Sequence, residues 1–176
     1  MSINEKDSRV EQVLATARAM MAAARTAPKA CGIDRLEIVT FFAEELSALA
    51  REMRRYGEQT GLKFFLRDAA NVESAGAVVM IATTYAPFNL NCGYCGFPTC
   101  AQKEEHASIP CVFNTSDMGT ALGSVVAVAA DSRIDNRIMY SVGQAALNLG
   151  LLGDCRAALG IALSCTGKSP FFDRQQ

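Results

Sequence analysis

The stretch Ala77-Val-Val-Met-Ile-Ala-Thr-Thr-Tyr85 carries the clearest strand signal in this 176-residue chain. It is apolar without interruption from Ala77 to Ala82, which is typical of a strand that is covered on both faces. The stretch leads directly into Pro87 and a cysteine-rich segment. Loops that follow the carboxyl ends of central strands often bind ligands in α/β proteins, so we expect a ligand site in this segment.

The segment contains four of the seven cysteines of the chain within residues 91–113. They are Cys92, Cys95, Cys100 and Cys111, with the spacing C-x2-C-x4-C-x10-C. A thiolate is a soft metal ligand, and four converging thiolates suit a tetrahedral zinc or iron–sulfur centre, whereas isolated buried thiols need no such clustering. This spacing is the main functional signal of the sequence.

Glycine and proline residues between the cysteines favour a loop wrapped around an anion. Gly93 and Gly96 allow the positive φ angles and close backbone approach that tight turns need, while Pro98 and Pro110 stiffen the later approach. Backbone N–H groups in such a loop tend to point inward, where they can donate to thiolate or sulfide.

The spacing favours a 4Fe-4S cluster over a zinc ion. Structural zinc sites usually have two C-x2-4-C knuckles with a longer spacer, and only one knuckle is present. We therefore predict a 4Fe-4S cluster bound by Cys92, Cys95, Cys100 and Cys111, with zinc as the first alternative. Disulfides or free thiols are the second alternative. Disulfides are disfavoured because seven is an odd number and no secretory signal pattern is visible.

The rest of the chain alternates between helix and strand patterns. Apolar residues at three- and four-residue intervals from Ser8 predict a helix that ends near Thr26, because Pro28 disfavours helix at the residue before it. Similar patterns predict helices at 46–56, 62–70, 118–130 and 138–149, strands at 36–41, 77–85 and 156–164, and a charged loop at 131–137. Asp117 is the predicted N-cap of the fourth helix. This order indicates an α/β fold with a mixed sheet flanked by helices.

Length and composition suit one α/β domain over residues 1–176, with the cysteine-rich iron–sulfur loop, residues 87–114, inserted within it. Hydrophobic residues make up 50% of the chain, so the body can form a core without a metal. The net charge of −1 and the lack of a basic stripe predict no nucleic-acid partner. The apolar runs are too short to cross a bilayer and residues 1–9 are polar, which predicts no membrane partner and a cytoplasmic location.

Three segments carry a family resemblance: the cysteine loop, Asp131-Ser-Arg-Ile-Asp-Asn-Arg-Ile-Met-Tyr140 and Gly167-Lys-Ser-Pro-Phe-Phe-Asp-Arg174. With these segments the chain resembles a bacterial and archaeal family of uncharacterised ferredoxin-domain-containing proteins, which implies an iron–sulfur cluster. The cysteine loop also resembles the four-cysteine module C-x2-C-G-x3-C of electron-transfer and corrinoid proteins. In that module the gap to the last cysteine is usually longer than the gap before Cys111.

A second and more distant resemblance is to nitroreductase-type flavoproteins. It is carried by Ala27-Pro-Lys-Ala-Cys-Gly32 and by the segment from Ala145 to Gly153. It implies FMN as a further candidate cofactor. The Arg-Ser-x-Arg cluster with which those enzymes hold the flavin phosphate is absent from the first helix, where only Arg9 and Arg18 occur.

Three functions remain open from the sequence. The leading hypothesis is an electron-transfer protein with a 4Fe-4S cluster, which requires a redox partner protein. The alternatives are a flavin-dependent reductase fed by the cluster and a zinc-stabilised, non-catalytic interaction protein. No acid–base constellation indicates an enzyme, because the single histidine, His106, lies among charged residues and is expected to be solvated.

Phe171 and Phe172 are expected to anchor the tail onto the body or onto a second subunit of a homodimer. The sequence assigns no role to Cys31, Cys155 and Cys165.

Overall fold

A four-stranded sheet between two layers of helices forms the body of the protein in the computed structural model, which describes residues 2–172. The helices are α1 (Glu5–Thr26), α2 (Glu44–Thr60), α3 (Phe64–Glu73), α4 (Cys100–Glu104), α5 (Val112–Asp131) and α6 (Tyr140–Asn148). The strands are β1 (Leu36–Phe41), β2 (Ala77–Thr83), β3 (Asp135–Met139) and β4 (Ala157–Ser164). No helix within residues 2–172 is long and apolar enough to cross a membrane.

The strands are arranged in the order β1-β2-β4-β3, and all three neighbouring pairs are antiparallel. The expected α/β class with a sheet flanked by helices is confirmed, but the sheet is antiparallel throughout rather than mixed. Two consecutive helices, α2 and α3, lie between β1 and β2. Phe41 at the end of β1 pairs with Val78 near the start of β2, so this helical pair returns the chain to the same end of the sheet and β2 runs antiparallel to β1.

Strand β2 is buried along all seven residues, and its side chains alternate between the two helix layers. Val78 and Met80 pack in one layer with α2, α3 and α6. Val79 and Ile81 pack in the other layer with α1 and α5. Each side chain of this kind contributes about 1.5–3 kcal/mol when it is fully buried. An uninterrupted apolar strand is therefore the sequence pattern that a two-sided core requires.

The strand register places one set of loops together. Leu36 pairs with Thr83, and Thr83 pairs with Ala157. The start of β1, the end of β2 and the start of β4 therefore lie at one end of the sheet, which we call the loop end. The segments 27–35, 84–111 and 149–156 meet there, and the second of these is the cysteine loop.

Two predictions from the sequence are wrong. Residues 131–137 are not a loop throughout, because β3 begins at Asp135. Asp117 does not cap α5, which begins at Val112 with Cys111 as N-cap. Both carboxylate oxygens of Asp117 instead accept hydrogen bonds from the backbone N–H of Ala30, at 3.0 and 3.1 Å. Helix α4, inside the cysteine loop, was not expected.

The C-terminal segment packs against its own chain. Phe171 is buried in the layer formed by α2, α3 and α6, and its carbonyl accepts a hydrogen bond from Arg137 Nη1 at 2.6 Å. Phe172 is exposed beneath the guanidinium of Arg137, 5.2 Å from the ring centre. The prediction that Phe171 anchors the tail onto the body is confirmed, while a homodimer stays a prediction. Asp173 and Arg174, part of the segment used for the family resemblance, lie outside the described residues.

Candidate metal centre

The four cysteines of the motif line a single cavity at the loop end of the sheet. Cys92, Cys95, Cys100 and Cys111 line it together with Phe88 and Phe113 among other residues. All seven cysteines of the chain are free, and Cys31, Cys155 and Cys165 do not line this cavity. Within residues 2–172, no three His, Cys, Asp or Glu side chains stand close enough together to chelate one metal ion.

Left-handed backbone conformations bend the first part of the loop around the cavity. Asn89 and Asn91 have φ angles of 58° and 47°, and Gly93 and Gly96 have φ angles of 74° and 87°. The N–H of Gly96 donates to the carbonyl oxygen of Gly93 at 2.9 Å and closes a turn that contains Cys95. Asparagine and glycine are the residues that tolerate this conformation best. A Cβ at Gly93 or Gly96 would meet no atom within 4 Å, so backbone conformation and not crowding requires glycine there.

Asn91 holds Cys100 by two hydrogen bonds. The backbone N–H of Asn91 donates to Cys100 Sγ at 3.4 Å, and the backbone N–H of Cys100 donates to Asn91 Oδ1 at 2.8 Å. Cys100 is also the first residue of α4, whose N-cap is Thr99. Together these two bonds fix the backbone and the sulfur of Cys100 in the loop.

Cys111 is joined directly to the core of the protein through α5. It is buried at the N-terminal end of α5, a 20-residue helix whose apolar face packs against α1 and the sheet. Cys92, in contrast to the buried Cys111, is exposed to solvent. The cavity therefore has one buried wall and one open side.

Aromatic side chains shield the cavity. Phe88 and Phe113 meet edge to face with ring centres 6.1 Å apart, and Tyr94 stacks on Phe113 at the same separation. His106 is exposed, stacks on Phe97 with centres 5.0 Å apart, and does not line the cavity. The aromatic wall lowers the local dielectric around the thiols, which strengthens any electrostatic interaction there.

The structure also identifies two residues that the sequence analysis missed. One is Asn91. The other is Lys103, which is buried with its ammonium donating to the carbonyl oxygen of Tyr85. The sequence contains a signal for Lys103, because it lies three residues after Cys100 and residues at that spacing share one face of a helix.

Two open depressions lie beside the cysteine cavity. The nearer one shares Pro87 with the cavity and includes Lys103 and Arg156. It shares Thr84 and Asp154 with the farther one, which is lined by Arg35 and Cys155 among others. Burial raises the pKa of the Cys155 thiol, and the carboxylates of Glu37 and Asp154 add to the effect. Cys155 therefore stays a neutral thiol at neutral pH.

The donor set in the cysteine cavity fits an iron–sulfur cluster. Four free thiols line one shared space, one of them already accepts a backbone N–H, and another lies at a helix N-terminus. These are soft donors with hydrogen-bond support, as a cluster requires.

The whole chain has an archaeal relative. A protein of Archaeoglobus fulgidus is 42% identical over 182 residues, a match that covers 99% of this chain and 98% of the relative. Residues 107–174 match a family profile described as "uncharacterized protein containing a ferredoxin domain". The match includes Cys111 and begins after the other three cysteines of the motif.

Solved structures with a similar fold are nitroreductases. Nitroreductase A of Vibrio parahaemolyticus superposes with a TM-score of 0.55 at 14% identity, covering 99% of this chain and 64% of the nitroreductase. An FMN-dependent nitroreductase of Clostridium difficile gives a TM-score of 0.53 at 11% identity, with 96% and 79% coverage. At this identity the likeness concerns the fold, and it confirms the distant resemblance seen in the sequence. This chain spans less than two thirds of the Vibrio enzyme.

The family profile agrees with the first resemblance drawn from the sequence. Ferredoxin domains are iron–sulfur redox modules, so the family description suggests an iron–sulfur redox role. The chain belongs to the family of uncharacterised proteins that contain a ferredoxin domain.

Proposed function

We propose that the protein is a 4Fe-4S electron-transfer protein in which Cys92, Cys95, Cys100 and Cys111 bind the cluster. The observation that carries this proposal is that all four cysteines of the motif line one cavity. When bound, such a cluster supplies one-electron transfer. Each of its four cysteines binds a different iron, so the thiols must surround a shared space rather than meet at a single atom.

The surrounding residues have separate roles in this function. The backbone N–H of Asn91 stabilises the thiolate of Cys100, and the buried position of Cys111 keeps water from the inner wall. Cys92 is exposed, as is the neighbouring Tyr94, so the open side of the cavity is where a redox partner protein would approach. Free thiolates of this kind persist in a reducing compartment, which fits a cytoplasmic location.

Metal and sulfide analysis of protein purified without air tests the proposal. We expect a brown protein with about four irons and four sulfides per chain. Replacing Cys92, Cys95, Cys100 or Cys111 by serine should each lower the iron content, whereas the matched variant Cys31→Ser should not, because Cys31 is exposed and lies outside the cavity. A colourless protein with one zinc per chain and no sulfide would identify the zinc alternative instead.

A flavin-dependent reductase fed by the cluster is the second candidate. The fold shared with FMN-dependent nitroreductases favours it, and so do the two open depressions beside the cysteine cavity. Incubation with FMN followed by gel filtration tests it. Retained yellow colour, released on denaturation, would support the candidate, and loss of all flavin from a correctly folded protein would remove it.

A further inference from the structure

Lys103 is one of the most buried charged residues in the described part of the chain. Only 2% of its surface is exposed, although lysine is rarely buried without a partner of opposite charge. Its ammonium has three donors and donates to the carbonyl oxygen of Tyr85. No carboxylate oxygen of residues 2–172 lies within 4.0 Å of its Nζ atom.

A buried ammonium without a counter-charge destabilises a protein, because it loses its hydration without a compensating attraction. Glu104 and Asp154 line the same depression as Lys103, but both are exposed and outside ion-pair distance. The nearby carboxylates therefore do not explain why this lysine is buried.

The cysteine cavity lies next to Lys103 along two segments of the chain. Lys103 is one helical turn after Cys100 on α4, on the same face of that helix. Its acceptor Tyr85 lies two residues before Pro87, which lines the cavity. Lys103 also lines the depression that shares Pro87 with the cysteine cavity, so the two lie side by side.

An iron–sulfur cluster with four thiolate ligands is an anion, because the four thiolates outweigh the positive charge of its core. It becomes more negative when it accepts an electron. A fixed cation nearby stabilises the reduced form more than the oxidised form, and a low-dielectric surrounding strengthens this effect.

We propose that Lys103 is the buried counter-charge of the cluster and raises its reduction potential. This proposal rests on the proposed function, because it requires the cluster to be present. Lys103 acts through the field of its charge and is not a cluster ligand. The hydrogen bond to Tyr85 fixes where the charge lies, because it ties α4 to the chain that leaves β2.

Redox titration of the loaded protein, followed by electron paramagnetic resonance, tests the proposal. We expect Lys103→Gln and Lys103→Met to shift the reduction equilibrium about tenfold toward the oxidised form, which is about 59 mV to more negative potential for a one-electron couple. Lys103→Arg keeps the charge and should restore most of the potential. Lys6→Gln is the matched control, because Lys6 is exposed and lies about 30 Å along α1 from the loop end.

A second measurement separates a charge effect from a structural one. Without metal the negative charge of the cluster is absent, so Lys103→Met should lower the unfolding temperature of the loaded protein and leave that of the metal-free protein unchanged or higher. Equal losses in both forms would show that Lys103 only ties α4 to Tyr85, and would overturn the proposal.

The two proposals fail in different ways. A wild-type protein without iron and sulfide would overturn the 4Fe-4S function itself. A Lys103→Gln protein that holds the full cluster at the wild-type potential would overturn the role of Lys103 alone. If Lys103→Gln cannot retain a cluster, the role of Lys103 is tested with Lys103→Arg, which keeps the positive charge. Loading and potential close to wild type would support the counter-charge, and loss of the cluster in this variant too would overturn it.

Discussion

At the scale of single residues, Asn91 combines two properties that the site needs. Its φ angle of 47° lies in the left-handed region, which asparagine tolerates better than most residues. In this conformation both its backbone N–H and its side-chain oxygen reach Cys100. Asparagine at position 91 is therefore favoured both by the left-handed backbone and by the hydrogen bonds to Cys100.

Substitutions of Asn91 should weaken the hold on the cluster. Asn91→Gly keeps the left-handed backbone but loses the 2.8 Å hydrogen bond, worth about 1 kcal/mol, so we expect about fivefold weaker iron retention against a chelator. Asn91→Ala should lose more, because alanine adds about 1–2 kcal/mol of strain in this conformation. The iron that remains bound at increasing chelator concentration measures both effects.

Asn89→Gly is the matched control for that series. Asn89 has a similar φ angle of 58°, and it does not line the cysteine cavity. Glycine relieves the same backbone conformation there without removing a bond to a cysteine, so iron retention should be unchanged. If Asn89→Gly and Asn91→Gly lose iron equally, the loop is sensitive to flexibility and not to the bond between Asn91 and Cys100.

At the scale of helices and strands, α6 lies directly on β4. A Cβ atom at Gly143 would stand 2.0 Å from the carbonyl oxygen of Ala158, and one at Gly160 would stand 2.3 Å from Val142 Cγ1. Only glycine at these two positions permits the observed separation. This contact fixes the height of α6 above the sheet, and the segment 149–156 leads from α6 to the loop end.

Gly143→Ala should therefore destabilise the protein by about 1–3 kcal/mol, because α6 must move away from β4. Gly119→Ala in α5 is the control, since a Cβ there would meet nothing within 4 Å. It should stabilise the protein by about 0.5–1 kcal/mol through helix propensity. Urea unfolding of both variants measures the difference, and equal effects would contradict the close contact.

At the scale of the whole molecule, the core and the cysteine loop consist of different residues. None of the buried core residues that form the two helix layers comes from residues 84–111. The loop is attached to this body through β2, which ends at Thr83, and through α5, which begins at Val112. The body can therefore fold by apolar burial whether or not a metal is bound.

Removal of the metal should consequently loosen the loop and leave the body folded. We expect faster amide hydrogen exchange in residues 84–111 of the metal-free protein, with unchanged protection in β2 and α2. Hydrogen exchange with mass spectrometry on loaded and metal-free samples measures this. Faster exchange throughout the sheet would show instead that the metal supports the whole fold.

Most of the core helices and strands were predictable from the sequence, because each carries its pattern within a few neighbouring residues. Strand β1 has the predicted bounds Leu36–Phe41, and α1 ends at the predicted Thr26 before Pro28. The uninterrupted apolar run of β2 correctly predicted helices on both faces. The spacing of the four cysteines identified, from the sequence alone, the side chains that line the cavity.

Other features depend on residues that are distant in sequence, and only the tertiary structure decided them. Strand β3 is at the edge of the sheet and pairs with β4 alone, so its polar residues gave no strand pattern. The burial of Lys103 depends on Tyr85, which lies 18 residues earlier in the chain. Asp117 accepts hydrogen bonds from Ala30, which lies 87 residues earlier. The hydrophobic periodicity of a segment indicates only which face of that one helix or strand is buried. The contacts described here form between segments that are far apart in the sequence, at the loop end and between the helices.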